Sequence, residues 1–420
     1  MATKHEEGPP PFKRNRGDEH NKSNLSREID ERIFTYLSDL VPFSTARFGI
    51  LQLGPLCNAS MSCAFSEANC HVKTVLNENN LALILEFNQL FSKGIQLLRD
   101  VKENKRDLEE HELAALKILD DFFKEKGQHE ESLIKILQGH LGDGDVTETE
   151  KLIALAEHLL GKLSPGKSYI IDSGVERKGK CGCGFDHCNS DPVFGSTGLG
   201  HEEVWHGSID IILLSNGGIP ETAASYFDDS QGLVAVASHI NDCEYKTDEE
   251  YSERRTSERK PSLSCAESRA IAQTIVFSFC QRKKHPHFSN FLIPNIFISP
   301  KDFRIIMYDS VNDILICSAP LPIFQPYPSK SLQIASIIIL WMVLHHRMFC
   351  GGIDPSSIMG TVNEMKEIQS NFKDRAKEKL NIYINALKFG VHEFPLVPRE
   401  SFPSYELLGF GVHLIPQTKS

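Results

Sequence analysis

The chain is 420 residues long, 40% hydrophobic and 24% charged, with a formal net charge of -11, the profile of a globular protein large enough for two or three domains. The acidic balance excludes a protein that coats nucleic acid over its whole surface, because such binding needs clustered Lys and Arg to displace counterions. Eleven cysteines, with no apolar export segment after Met1, suggest reduced thiols in the cytoplasm or nucleus rather than a disulfide framework.

Residues 1–24 hold almost no apolar side chains and are expected to be a disordered tail. From Leu25 to Leu40, Ile29, Ile33, Phe34 and Leu37 fall on one helical face; this segment resembles the first helix of an F-box, over that helix alone. Cys57, Cys63, Cys70 and His71 lack the short paired spacing of a zinc site and read as buried thiols. Amphipathic helices are expected over 79–102, 107–126, 130–140 and 148–163, the last opened by a capping box of Thr147 and Glu150. Residues 25–165 therefore read as a helical region, whose helices could hold a protein partner.

Ser164-Pro165-Gly166 breaks that pattern, and shorter β-branched runs follow. Between an expected strand at 167–171 and the next lies Cys181-Gly182-Cys183-Gly184-Phe185-Asp186-His187-Cys188. Three thiols and the His187 imidazole on a glycine-loosened loop suit a tetrahedral Zn²⁺, with His201 or His206 to complete the set. The stretch Glu203 to Leu214 reads as one strand that carries Asp210 between Ile209 and Ile211. A carboxylate there needs a cation, a donor or a solvent-filled cleft to stay ionised.

A second strand is expected over 233–240, then a charged insertion over 241–261 and a helix over 266–282. Strands follow at 291–299, 303–308 and 313–317, then a buried helix over 332–349 whose apolar run is about half of what spans a bilayer. No membrane segment is expected. A last helix is read over 362–388. The basic segment Arg254 to Lys284 is the one stretch suited to nucleic-acid phosphates.

This order of elements, with Gly207-Ser208-Ile209-Asp210 on the second strand, resembles the restriction-endonuclease-like, or PD-(D/E)XK, superfamily over residues 165–350. The resemblance implies a mixed sheet flanked by helices and, in active members, Mg²⁺-dependent hydrolysis of phosphodiesters, where carboxylates hold cations that activate water. Asp210 would be the first ligand, His201, Glu202 or Glu203 an upstream ligand or base, Gln273 the glutamine of exonuclease-like members, and Glu244 with Lys246 the second carboxylate and the lysine. The departure lies there. If the two strands pair antiparallel, Asp210 faces Ala237, and Glu244 lies seven residues further on, roughly 23 Å along an extended strand.

The sequence thus reads as an α+β protein, a helical N-terminal region packed on a mixed-sheet α/β core of restriction-endonuclease-like type. Its parts are the tail (1–24), the helical region (25–165), the core (166–350), a C-terminal helix (351–390) and a Pro-containing tail (391–420). Two functions stay open: a nuclease-like protein with an eroded metal-dependent phosphodiesterase site, and a non-catalytic scaffold or protein-binding module, zinc-stabilised through its Cys-rich loop.

Overall fold

A computed structural model describes residues 46–138, 146–175, 179–186, 188, 191–214, 234–238, 265–326, 329–353 and 365–395. The strands are β1 (Arg47–Leu53), β2 (Cys63–Ala64), β3 (Val72–Thr74), β4 (Ile84–Glu86), β5 (Ser168–Asp172), β6 (Phe194–Gly195), β7 (Gly198–Gly200), β8 (Trp205–Ser208), β9 (Ile211–Leu214), β10 (Val234–Ser238), β11 (Leu292–Ile298), β12 (Asp302–Asp309), β13 (Ile314–Ser318), β14 (Leu321–Pro322) and β15 (Lys388–Val391). The helices are α1 (Phe87–Leu90), α2 (Ser92–Glu103), α3 (Glu110–Leu137), α4 (Glu148–Leu155, continued through Leu163), α5 (Cys265–Lys284), α6 (Ile334–Leu344), α7 (His346–Phe349), α8 (Phe372–Ala376) and α9 (Leu380–Asn385).

One mixed sheet runs β3-β1-β13-β12-β11-β10-β9-β5-β6, with β4 added at β1 and β14 at β12. Neighbours are antiparallel except β10 with β11 and β5 with β6. The protein is therefore α+β, as expected. Both faces of the central strands are covered, which is why Ile211 to Leu214 and Val234 to Ala237 are apolar at every position instead of alternating with polar residues. Alternation survives in what each side chain meets. Ile211, Leu213, Val234 and Val236 pack under α2, α3, α4 and α6, whereas Ile212, Leu214, Ala235 and Ala237 pack under α5.

Helix α5 is buried on nearly all sides, because a second sheet, β15-β7-β8-β2, lies across it. Helix α6 is the apolar run read as a buried helix; its Trp341 Nε1 donates to the Ala115 carbonyl on α3 at 3.0 Å, which satisfies the indole N–H inside the core. No helix among the described residues is long and apolar enough to cross a membrane.

Four readings need correction. Residues 46–86 are not helical: β1 pairs with β13, Phe48 opposite Ser318 and Ile50 opposite Ile316, so the expected boundary at 165 cuts through one sheet. The helices read at 107–126 and 130–140 are a single α3, since nothing between them interrupts its apolar face. The helix read over 362–388 is broken, with Asn371 at φ 64° and Lys377 at φ 51° interrupting the right-handed helical backbone. Its end turns into β15, an edge of the second sheet.

The stretch 203–214 is not one strand either. β8 belongs to the second sheet and β9 to the main one, so the chain changes layers at Ile209-Asp210. Gly207 has φ 143°, and a Cβ built there would lie 3.0 Å from the Phe65 ring. The glycine of Gly-x-x-Asp is thus required by the backbone just before this crossing.

Candidate metal centre and the Asp210 cleft

Helix α4 opens on the expected capping box, with Thr147 Oγ1 accepting from the Glu150 N–H. It then widens into a π-helical turn at Ala156–Leu160 before closing as Gly161–Leu163. Such turns insert an extra residue and re-aim the side chains they carry. Here they are Glu157, which accepts from the Tyr169 hydroxyl, and His158, which turns toward the cysteine loop.

His158, Cys181, Cys183 and Cys188 each offer a ligand atom, all within 4.8 Å of one another. His158, Cys181 and Cys183 are buried and Cys188 is half-buried. Metal–sulfur bonds of about 2.3 Å in a tetrahedron place sulfurs roughly 3.8 Å apart, so the group can close on a metal ion with little movement. His158 Nε2 is the nitrogen that faces the thiols, 3.4 Å from Cys181 Sγ.

The loop is built for thiolates. The Cys183 N–H points at the Cys181 sulfur and the Phe185 N–H at the Cys183 sulfur, a repeat made possible by Gly184 at φ 68°. Burial pushes the Cys181 thiol up, and it pushes Cys188 up to about 12. Cys183 is the exception: burial opposes its ionisation, yet the Phe185 N–H, the Ser132 hydroxyl and the two neighbouring thiols together hold it below the ordinary thiol value. A cation is the group that would let all three ionise together.

Helix α3 supplies a second layer from one face. Glu125, His129, Ser132 and Lys135 follow at helical spacing; Lys135 donates to the Cys183 carbonyl and lies 5.1 Å over the Phe185 ring. His129 Nδ1 meets His158 Nδ1 at 3.4 Å, and its Nε2 lies 3.4 Å from the Glu125 carboxylate.

The sequence reading found the three thiols and missed the imidazole. His187 lies outside the described residues. His201 and His206 are held elsewhere: His201 Nδ1 accepts from the Glu203 N–H, and His206 Nδ1 faces the Val204 carbonyl in the second sheet. His158 sits 23 residues before Cys181 in a leucine-rich helix expected only to pack, and it falls within the π-helical turn.

Asp210 lies where the chain enters the main sheet. β9 and β10 pair antiparallel as expected, down to Ile211 opposite Val236, and extending that register by one residue puts Asp210 level with Ala237. Its Oδ2 accepts from the Ser238 N–H at 2.6 Å, from Ser238 Oγ at 3.0 Å and from Arg269 Nη2 at 3.2 Å. Arg269 Nη2 also donates to the Ser238 carbonyl, which ties α5 to the end of β10. A cleft of about 360 Å³ adjoins, lined by Asp210, Asp172, Glu148 and Ser238 among others.

Gln273 donates to the Ser208 carbonyl at 2.8 Å and so braces the backbone before Asp210. Glu203 is drawn away to the surface, where it pairs with Lys379 at 2.5 Å. Glu244 and Lys246 lie outside the described residues. In the basic segment, Arg269, Arg282 and Lys283 each donate to protein acceptors, namely Asp210, the Ser310 carbonyl and the Leu387 carbonyl. The rest of that segment's arginines, Arg254, Arg255 and Arg259, also lie outside the described residues.

Comparison of the chain with family models, with curated proteins and with solved structures finds no match.

Proposed function

We propose that this protein is a non-hydrolytic binding scaffold on a nuclease-like sheet, whose helical layer is stapled to the Cys-rich loop by a structural Zn²⁺ ion. The observation that carries the reading is the commitment of Asp210. Its carboxylate is taken up by a guanidinium, an N–H and a hydroxyl. A catalytic cation would have to displace Arg269 to reach Oδ2. The paired position on β10, Ala237, offers a methyl group in place of a second oxygen.

Zinc is favoured at the other centre by its donor set, since three thiolates and one imidazole suit a borderline-soft ion and leave no open coordination position for substrate. Mg²⁺ prefers oxygen ligands, and the Asp210 cleft offers carboxylates, although among the described residues they do not close into one ligand set. There Asp172 and Glu148 line the same space as Asp210, and this supports a second reading as a metal-dependent phosphodiesterase.

Incubation of the purified full-length protein with single- and double-stranded DNA and RNA in Mg²⁺ or Mn²⁺ separates the two. The scaffold reading expects all four to stay intact. Cleavage that Asp210→Asn abolishes overturns it.

A further inference from the structure

A second cavity, of about 540 Å³, shares no lining residue with the Asp210 cleft. Its size suits a small organic ligand. Lys93, His287, His345, His346 and Arg347 all line it, and among the described residues no carboxylate does. Only Lys93 and Arg347 bring fixed positive charge to it, since burial lowers the affinity of the His345 and His346 imidazoles for a proton.

Arg347 is the most constrained of them. Its guanidinium carbon lies 3.4 Å over the Phe288 ring, which fixes the plane, and its Nη1 donates to the Asn290 carbonyl at 2.7 Å, which fixes the rotation. What remains is the edge formed by Nε and Nη2. Both nitrogens are buried and donate to nothing among the described residues. That edge is the one with which an arginine grips two oxygens at once. Burial lowers the guanidinium's affinity for its proton, to a pKa of about 9, as expected of a cation that lacks an anion. On α2, Lys93 is exposed at the same cavity and forms no ion pair among the described residues.

We propose that this cavity binds the phosphate group of a small molecule, with the Nε and Nη2 edge of Arg347 and the Lys93 ammonium taking its oxygens. A carboxylate has two oxygens, which Arg347 alone would use up. A phosphate has a third for Lys93 and carries the second charge that two cations call for. Because the two nitrogens are shielded from bulk water, the ligand must open the wall. Met348, unbranched and half-buried, lines the same cavity.

The test is calorimetric titration of the full-length protein with inorganic phosphate, glycerol 3-phosphate and adenosine 5′-monophosphate, with acetate and adenosine as controls. Phosphate-bearing probes should bind and the controls should not. Arg347→Met, which keeps the bulk over Phe288, should weaken binding by about tenfold or more. Lys93→Gln, at an exposed position that leaves the core intact, should weaken it by roughly threefold to tenfold. Tighter binding of either monoester than of inorganic phosphate identifies an organic phosphate as the ligand, and parity identifies free phosphate. The proposal is overturned if no phosphate probe binds, if acetate binds as well, or if affinity is unchanged in Lys93→Gln.

Discussion

His129 and His158 meet nitrogen to nitrogen, Nδ1 to Nδ1 at 3.4 Å, on two different helices. One of the two must donate and the other accept. With a metal ion on His158 Nε2, as proposed, its Nδ1 would carry the proton and His129 Nδ1 would receive it. His129 Nε2 lies 3.4 Å from the Glu125 carboxylate, within ion-pair range but outside hydrogen-bond geometry. The contact between the two imidazoles is what would fix the tautomer of a ligating His158.

His129→Leu removes the acceptor while leaving all four ligands in place. Zinc affinity should fall by roughly tenfold to a hundredfold, the usual effect of deleting a hydrogen-bond partner of a ligating histidine. Competition with a chromophoric chelator measures it. Unchanged affinity would show that the contact does not tune the site.

Asp210 and Arg269 hold α5 against the end of β10, with side chains 21% and 30% exposed. Partial exposure screens the pair, yet Asp210 also accepts two Ser238 donors that its loss leaves unpaired. Asp210→Ala should therefore destabilise by about 1 to 2 kcal/mol in urea unfolding. A gain in stability is the opposite outcome, and it would mean that the carboxylate is held at a cost, as a ligand-binding group would be.

Acid should weaken the fold through His345. Burial outweighs the bond to the Trp341 carbonyl and lowers its pKa from 6.5 to about 4. Its Nδ1 is committed to that carbonyl and its Nε2 is buried without a partner, so a second proton has nowhere to go. The unfolded chain binds more protons between those values, and stability is present above about 6.5 and lost as pH falls toward 4. From pH 7.5 to pH 5 the loss from His345 alone should be about 2 kcal/mol. Burial lowers His346 in the same direction. Denaturant unfolding of the parent and of His345→Leu at both pH values checks it, the variant losing less on acidification.

Gly207→Ala tests whether that motif glycine is structural. With φ at 143° and the Phe65 ring 3.0 Å from the new Cβ, the change should cost about 1 to 3 kcal/mol of stability. Thermal unfolding reads this directly.

The main-sheet strands β5 and β9 to β13 were legible because a sheet covered on both faces leaves unbroken branched runs, as in Ile211 to Leu214 and Val234 to Ala237, whereas β6, β7 and the break between β8 and β9 were not. The β1 strand carries the same signal more faintly, Phe48 and Ile50 flanking Gly49 and Gln52 beside Leu53, and its role emerges only once β13 is beside it. The register that sets Asp210 against Ala237 followed from antiparallel pairing alone. Arg269 as the partner of Asp210 was not legible, since it sits 59 residues away and reads as part of a basic segment. His158 was hidden for a different reason: it lies in a leucine-rich helix 23 residues from Cys181, and a π-helical turn is a departure from the period on which helical readings rest.

The zinc staple is tested most directly by metal analysis of the purified full-length protein beside its His158→Ala variant. The account predicts about one equivalent of zinc in the parent, lost from the variant. A folded parent without zinc, or a variant that keeps its full equivalent, would contradict it.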